Sequence, residues 1–159
     1  MRYRAQLEHS PIGAIGLEAD DTSLLAVYFL PHQATVAANE TDAPILLEAI
    51  QQLQQYFDGS RQQFSLPLRF EGTAFQQQVW QQLQRIPYGS TCSYGDIAKA
   101  LGNPRAARAV GMANNQNPLP IVIPCHRVIG HTGKLVGFGG GIAIKQKLLQ
   151  LEQQQQSLF

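Results

Sequence analysis

The stretch IPCHRVIG, residues Ile123–Gly130, sets Cys125, one of only two cysteines, directly beside His126. Upstream, Leu119–Ile123 is a short apolar run rich in β-branched residues, with a proline on either side. This pattern predicts a buried strand that ends abruptly at Cys125. A thiol where a strand stops and the chain bends can face a pocket, whereas a thiol in mid-strand is packed. Cys125 is therefore a candidate nucleophile and His126 its candidate base.

The composition is that of a globular protein. The 159 residues are 44% hydrophobic, enough for the core of one ordinary domain or two small ones. Apolar runs such as Leu24–Leu30 are too short to span a bilayer, and Met1–Gly16 lacks the apolar core of a secretory signal. We therefore expect an intracellular, cytoplasmic protein without membrane contact. Neither the cysteines nor the histidines show a pairing or metal-binding pattern, so we expect reduced thiols and no metal or other cofactor.

The net charge of +1 hides an asymmetry between the two halves. Residues 1–68 carry three Lys and Arg against eight Asp and Glu, whereas residues 69–159 carry nine against three. A basic second half is typical of a protein that binds a polyanion. A solvated basic face would give the same count, and charge alone does not separate the two interpretations.

The first half predicts a small antiparallel sheet with one helix. Short apolar stretches within Tyr3–Leu30, separated by turn signals, indicate the strands. Pro44 opens an amphipathic helix with glutamines on its surface and an apolar face formed by Ile45, Ala49, Ile50, Leu53 and Phe57. Phe64–Leu66 is strand-like, and the boundary is expected near Pro67–Gly72. We predict a scaffold domain over residues 1–68 and a second domain over residues 69–159.

Two capping boxes mark helices in the second half. Thr73 and Gln76 start a helix with Phe75, Val79 and Leu83 buried and Trp80 at a flank. Ser93 and Asp96 start a short helix that ends near Gly102, and Asn103-Pro104 begins a third, through about Ala113. Two short helices joined by a tight turn have the proportions of a helix-turn-helix.

The third helix and the region after Cys125 are both rich in small residues. Alanines and Gly111 dominate the helix, so its backbone can approach a narrow groove or pack tightly in a core, and the residues alone favour the core. Gly130–Gly141 holds six glycines, which predicts a hairpin or wing over the pocket. A phosphate-binding loop is excluded because the glycine spacing fits neither known pattern. Ile142–Leu151 returns to helix, with Leu148 and Leu149 inward and Glu152 at its end.

The run Pro124–Val128 (PCHRV), with Asn117-Pro118 before it and Gly140-Gly141 after it, resembles the O6-alkylguanine-DNA alkyltransferases, the methylated-DNA–protein-cysteine methyltransferases. The likeness covers essentially the whole second half, while the first half matches only in length and general character. Further matching segments are Thr73–Gln76, Val79-Trp80, Ser93-Tyr94, Asn103–Gly111 and Leu148–Glu152.

The resemblance implies an α+β fold in which a ribonuclease H-like domain precedes a winged-helix or helix-turn-helix domain that binds DNA and carries out catalysis. It implies direct-reversal repair, in which Cys125 takes the alkyl group from O6-alkylguanine, and from O4-alkylthymine, in double-stranded DNA. The product is a thioether, so the protein acts once, as a monomer and without a cofactor.

The resemblance also assigns the catalytic residues. It places Glu152 as the acid that orients His126, and Asn117 as the brace of the turn between the third helix and the active-site strand. Because adjacent side chains tend to point apart, we expect His126 to activate Cys125 through one ordered water. From the residues alone, Glu152 would be a surface carboxylate near a helix end. Cys92 is expected to be structural.

The substrate and DNA contacts follow from the same resemblance. Tyr94 helps to rotate the nucleotide, and Arg108 fills the space that the flipped base leaves in the stack. The plainer interpretations are a core aromatic for Tyr94 and a phosphate contact for Arg108. The Val128 carbonyl and the Gly139 N–H bind the flipped guanine. Phe138 and Gly139 replace a commoner tyrosine and a residue with a side chain, so we expect a wider pocket mouth. Minor-groove contacts are expected from Ser93, Arg105, Ala106, Ala107 and Arg108.

Three other interpretations remain. A non-catalytic binder of alkylated DNA would have lost its nucleophile, and Cys125 is present. A cysteine hydrolase would use the same Cys125–His126 pair on a carbonyl. A winged-helix regulator would explain the basic half but leave that pair without a role.

Overall fold

The computed structural model describes residues 2–30, 43–133, 138 and 140–157. Its internal contacts divide the chain into two compact units, Met1–Phe70 and Glu71–Phe159. Within the described residues, the first unit holds a three-stranded sheet and one α-helix, and the second holds four α-helices, a short 3₁₀ helix and a two-stranded pair. The predicted α+β class is confirmed.

The sheet of the first unit is antiparallel, as the sequence predicts, and its strand order is β1-β2-β3. Its strands are β1 (Tyr3–Leu7), β2 (Ile15–Ala19) and β3 (Leu24–Phe29). The central strand β2 carries Gly16 opposite Tyr28. A Cβ built at Gly16 would lie 2.2 Å from the Tyr28 ring, so only glycine allows the ring to cover the strand.

Helix α1 (Pro44–Asp58) begins at a proline and ends before Gly59, whose φ of 88° is the left-handed conformation of a helix C-terminus. Its buried face differs from the prediction, because Ile45, Ile50 and Phe57 are only partly buried. The fully buried apolar side chains are Leu46, Ala49, Leu53 and Tyr56.

Gln52 corrects the prediction that the glutamines of α1 all lie on its surface. It is 1% exposed, and its amide both donates to the Ser65 carbonyl (3.0 Å) and accepts from the Ser65 N–H (2.8 Å). These bonds hold Phe64–Leu66 as irregular chain, where the sequence predicts a strand. The β-type pairing in this region is a single isolated bridge farther along the chain, between Leu68 and Leu24 of β3.

In the second unit, the Thr73–Gln76 capping box forms and starts α2 (Ala74–Leu83). Trp80 is not at a flank as predicted. It is 2% exposed, and its Nε1 donates to the Ala113 carbonyl at 2.9 Å, so the polar edge of the indole is satisfied inside the core.

The Ser93–Asp96 capping box also forms, and helices α3 (Tyr94–Ala100) and α4 (Ala107–Asn115) follow. The third helix was predicted to begin at Asn103-Pro104, which is wrong by about one turn. Asn103 instead accepts the Ala106 N–H (3.0 Å), which closes a β-turn around Pro104 before α4 begins.

Leu119–Ile123 is buried as predicted, but it is not a strand. Asn117 satisfies backbone groups that a strand partner would bind, since its Nδ2 donates to the Ile123 carbonyl (2.8 Å) and its Oδ1 accepts from the Leu119 N–H (2.9 Å). Ile123 N–H closes the turn onto the Leu119 carbonyl (2.8 Å), and Ile121 has a φ of 74°, which β-branched residues seldom adopt.

Beyond this turn, Cys125–Arg127 forms a 3₁₀ helix, and β5 (Val128–Ile129) pairs in parallel with β4 (Cys92–Ser93). The predicted wing over Gly130–Gly141 lies largely outside the described residues. Helix α5 (Ile142–Ser157) runs past its predicted end, so Glu152 lies inside the helix. Of the helices described, none combines the length and apolarity that crossing a bilayer requires.

Candidate active site

Cys125 is the first residue of the 3₁₀ helix and is 3% exposed. Burial raises the pKa of its thiol to about 11, because a thiolate loses hydration there. The hydrogen bond from Asn117 and the charge of Lys145 act in the opposite direction. The resting group is therefore a neutral thiol, and its reaction requires a base.

His126 is fully buried, and its Nε2 lies 2.6 Å from Oε2 of Glu152. Burial lowers the pKa of His126, although Glu152 raises it in part. Burial also disfavours the Glu152 carboxylate, yet the hydrogen bonds and charges of His126 and Arg127 outweigh it and lower that pKa to about 2. An ionised Glu152 accepts the proton on Nε2, which leaves Nδ1 of a neutral imidazole as the basic nitrogen.

Arg127 neutralises Glu152 in the core. Its Nε and Nη2 donate to Oε1 (2.9 Å) and Oε2 (3.0 Å) of Glu152, and its Nη1 donates to the Ile86 carbonyl (2.7 Å). The arginine side chain is 7% exposed, so it is a buried structural cation. Arg127 therefore does not contribute to the basic surface that the charge count suggested.

Lys145 is a second cation that the charge count of residues 69–159 includes and that the fold buries. It is 0% exposed, its Nζ donates to the Val128 carbonyl at 2.5 Å, and the same Nζ lies 5.9 Å from the centre of the Tyr94 ring. Burial lowers its pKa, while the nearby Cys125 raises it. Lys145 thus brings positive charge towards the thiol from helix α5.

Two asparagines hold the backbone around Cys125. Asn117 clamps the preceding turn as described above. Asn114, on the inner face of α4, is 1% exposed, and its Nδ2 donates to the Cys125 carbonyl at 3.3 Å. The helix of the helix-turn-helix motif is therefore joined to the nucleophile by a side chain.

The predicted DNA-contact residues lie at the start of α3 and around the start of α4. Arg105 and Arg108 are exposed, while Ser93, Ala106 and Ala107 are partly exposed. Ser93 also caps α3 by accepting the Asp96 N–H (3.0 Å). The cations of this part of the chain are thus available to solvent, in contrast to Arg127 and Lys145.

The predicted substrate residues are described in part. Val128 is fully buried, and Tyr94 and Phe138 are partly buried. Burial raises the pKa of Tyr94, and the nearby Cys125 raises it further, so the phenol is neutral at physiological pH. Gly139 lies outside the described residues.

Other features of this unit are less directly linked to Cys125. A groove of about 560 Å³ runs beside β4 and β5, and Ser93, Lys99 and His131 are among its lining residues, but Cys125 is not. Cys92 is half-buried, and burial, followed by the Asp96 charge, raises its pKa to about 11. Across the described ranges, no cluster of three His, Cys, Asp or Glu is arranged to hold a metal ion.

Sequence reasoning did not assign Asn114, Arg127 or Lys145 to the site. One signal was present, because Lys145, Leu148 and Glu152 recur at i, i+3 and i+7 and so share the inner face of one helix. Arg127 stands within the PCHRV run itself. Asn114 has no such signal, since nothing in its spacing separates it from an exposed asparagine such as Asn115.

Comparison with known proteins matches both halves. A family model described as the 6-O-methylguanine DNA methyltransferase DNA-binding domain matches residues 74–154, and its ribonuclease-like domain model matches residues 2–70. The chain is 48% identical to the constitutive methylated-DNA–protein-cysteine methyltransferase of Bacillus subtilis, over 96% of each chain. It is 47% identical to the methylated-DNA–protein-cysteine methyltransferase of Methanosarcina acetivorans, over 90% of this chain and 94% of that one.

Solved structures give the same result. The crystal structure of the Mycobacterium tuberculosis O6-methylguanine methyltransferase aligns with a TM-score of 0.86 at 44% identity, over 98% of this chain and 94% of that one. The M. tuberculosis OGT in complex with DNA aligns with a TM-score of 0.87 at 44% identity, over 96% and 94%. The family inferred from the PCHRV run is confirmed, and these similarities show that the chain belongs to the 6-O-methylguanine DNA methyltransferase family.

Proposed function

We propose that this protein repairs DNA by transferring the alkyl group of O6-alkylguanine to Sγ of Cys125, once and irreversibly. The observation that carries the proposal is the buried Cys125 followed by His126, whose Nε2 is held 2.6 Å from Glu152, in a chain of this family. The same chemistry applies to O4-alkylthymine, where an oxygen on the base also carries the alkyl carbon.

The reaction is a displacement at carbon. Sγ of Cys125 forms a bond to the alkyl carbon, the bond from that carbon to O6 breaks, and its electron pair leaves on the guanine. The thiol proton passes through one water to Nδ1 of His126, and Glu152 stabilises the imidazolium that forms. The product is a thioether, which offers water no carbonyl to attack, so one protein molecule removes one lesion.

The partner is double-stranded DNA. The M. tuberculosis relative was crystallised in complex with DNA, and here exposed Arg105 lies in the turn before α4 and exposed Arg108 in its first turn, beside small Ala106 and Ala107. Small side chains let the helix backbone approach a narrow minor groove, where contacts depend weakly on sequence. That suits a protein that has to test any guanine.

The damaged base has to leave the stack to reach a buried thiol, at a cost of about a few kcal/mol. We assign Arg108 to the space that the base leaves, and Tyr94 to the rotation of the nucleotide and a hydrogen bond to the purine. The carbonyls of Cys125 and Val128 accept from the exocyclic amine of guanine, the N–H of Gly139 donates to O6, and Phe138 lines the mouth. Ser93 contacts the backbone of the DNA.

Residues 69–159 carry all of these groups, and we assign residues 1–68 to a scaffold. One chain meets one lesion, so the protein acts as a monomer, in the compartment that holds the DNA. It needs no cofactor, because sulfur displaces the purine directly.

The decisive experiment incubates the protein with a duplex that contains one O6-methylguanine and weighs the tryptic peptide bearing Cys125. We expect the peptide to gain the mass of one methylene group and the duplex to regain guanine. Cys125→Ala abolishes the gain while DNA binding persists, and Cys92→Ala is the matched control that retains it. An unchanged peptide from folded wild-type protein contradicts the proposal and favours a hydrolase or a regulator.

A further inference from the structure

Two buried polar atoms, one on the residue after Cys125 and one on the side chain that bonds to the Cys125 carbonyl, have no hydrogen-bond partner within the described part of the chain. They are Oδ1 of Asn114 and Nδ1 of His126. Buried polar atoms in folded proteins nearly always have a partner, either in the protein or in ordered water. Each of these atoms therefore calls for a donor.

The hydrogen-bond roles of both atoms follow from their neighbours. Nε2 of His126 faces the ionised Glu152 and carries the ring proton, so Nδ1 is an acceptor. The Asn114 amide donates from Nδ2 to the Cys125 carbonyl (3.3 Å), which identifies its other end as the acceptor Oδ1. Both atoms accept, and neither can satisfy the other.

One water molecule satisfies both. A water that accepts the hydrogen of the Cys125 thiol has two hydrogens of its own to donate. One hydrogen bonds to Nδ1 of His126, which is the relay already proposed, and the second needs another acceptor. Asn114 is joined to the Cys125 carbonyl by the same amide that carries the unpartnered oxygen.

We propose that Asn114 is a positioning residue for the proton relay, with its Oδ1 accepting the second hydrogen of the water between Cys125 and His126. The inference rests on the proposed function and extends it, because it names what orients the relay. With its hydrogens bound to Asn114 and His126, the water turns a lone pair towards the thiol.

The proton and electron changes balance. The S–H bond breaks and its proton joins the water oxygen, while one water O–H bond breaks and that proton joins Nδ1 of His126. The sulfur electron pair forms the S–C bond, and the C–O6 pair leaves on guanine. Asn114 gains and loses no proton, so its oxygen orients the relay without being titrated.

The pH dependence involves all the ionisable groups packed around the thiol. Helix α5 provides Lys145 and Glu152, helix α3 provides Tyr94, and the 3₁₀ helix provides His126 and Arg127. Tyr88 is coupled to Glu152 and Arg127. None of these groups is altered in a variant of Asn114, so a changed profile is attributable to the amide.

The test measures the rate at which free O6-benzylguanine alkylates Cys125 between pH 7 and pH 10. The free base removes DNA binding from the measurement. With a working relay, His126 deprotonates the thiol and the wild-type rate is nearly flat. In Asn114→Leu, only thiolate already present reacts, so we expect a rate at pH 7 at least tenfold lower, rising by about tenfold per pH unit.

Further variants separate this role from a purely structural one. Asn114→Asp keeps an acceptor oxygen in either protonation state and, when ionised, has no donor for the Cys125 carbonyl, so it should keep the flat profile. Asn115→Leu, one residue along and exposed, is the matched control and should behave as wild type. Asn114→Ala serves if the leucine variant unfolds below the assay temperature.

The outcomes are distinct. If Asn114→Leu or Asn114→Ala remains flat with pH, the positioning role is wrong. If Asn114→Asp loses the plateau together with them, the role is also wrong, and the bond to the Cys125 carbonyl is what matters. If wild-type Cys125 is not alkylated at any pH, the proposed function itself fails.

Discussion

Arg127 and Glu152 form a two-pronged ion pair in the core, with Nε 2.9 Å from Oε1 and Nη2 3.0 Å from Oε2. The arginine side chain is 7% exposed and the glutamate side chain 1%. The pair leaves Glu152 ionised and its charge balanced, so the carboxylate orients His126 without drawing it into the charged form. The imidazole stays available as a base.

Arg127→Met should destabilise the fold by about 3–5 kcal/mol, because it leaves a buried carboxylate without its cation. The free energy of unfolding in urea measures this. Exposed Arg105→Met is the control, and it should change stability by less than about 0.5 kcal/mol. An Arg127→Met protein as stable as wild type would show that another group compensates the charge of Glu152.

Acid should destabilise the protein through Glu152. Its pKa in the fold, about 2, lies below the ordinary value of 4.5, so the unfolded chain binds the proton more readily. The stabilisation is present above pH 4.5 and is lost as pH falls through about 2. The lowered pKa of His126 acts in the same direction below its ordinary 6.5.

Urea unfolding midpoints of wild type and Glu152→Gln, measured between pH 7 and pH 3, test whether the stabilisation by Glu152 falls with falling pH. The gap between the two proteins should narrow as pH falls. A gap that stays constant down to pH 3 would falsify the assignment of the lowered pKa to the native carboxylate.

Lys145→Met should slow the reaction of Cys125 with free O6-benzylguanine. The Lys145 charge opposes the burial that raises the thiol pKa, so its loss raises that pKa further, and one pKa unit corresponds to about a tenfold smaller thiolate fraction. Exposed Lys147→Met, on the same helix, is the matched control. Equal rates in the two variants would remove Lys145 from the electrostatics of the site.

Arg108→Ala should impair repair of duplex DNA much more than the reaction with the free base. Arg108 is proposed to fill the gap that a flipped base leaves in the duplex. Free O6-benzylguanine is not part of a duplex, so its reaction needs no such filling. Arg105→Ala should instead weaken binding to all duplexes and reduce the salt dependence of binding by about one counterion. If both variants lose activity on the free base, the arginines act on the chemistry instead of the DNA.

The pocket mouth should admit alkyl groups larger than methyl. Phe138 has no hydroxyl and Gly139 no side chain, so polar contacts and bulk that a tyrosine and a larger residue would supply are absent. A competition between duplexes containing O6-methylguanine and duplexes containing O6-benzylguanine measures the preference between the two alkyl groups. The double variant Phe138→Tyr, Gly139→Ser is the comparison. A strong wild-type preference for methyl contradicts this expectation.

Local signals were reliable wherever a few neighbouring residues decide the structure. Both capping boxes, the proline start of α1 and a small antiparallel sheet form as predicted, because caps and turns satisfy backbone groups within one or two turns of chain. The prediction of which face of α1 is buried was wrong, because that face depends on more than neighbouring residues. Apolar residues cover more than one stripe of that helix, so spacing alone allows two faces, and packing against the sheet selects one.

Segments that depend on a distant partner were predicted less well. Leu119–Ile123 has the composition of a strand, but Asn117 provides its hydrogen bonds and turns it. Trp80 was predicted at a flank, and the Ala113 carbonyl that accepts its indole N–H inside the core lies 33 residues away in the sequence.

By itself, the sequence determined the family, the nucleophile with its adjacent imidazole, and most of the helices, because motif chemistry and helix capping are written in neighbouring residues. Only the tertiary structure decided which charges are buried. Arg127 and Lys145 count as surface cations in the sequence, yet they lie inside the second unit, and Asn114 lies beside Cys125. Burial and hydrogen bonding across long sequence separations determine the ionisation of these groups, and no local pattern encodes them.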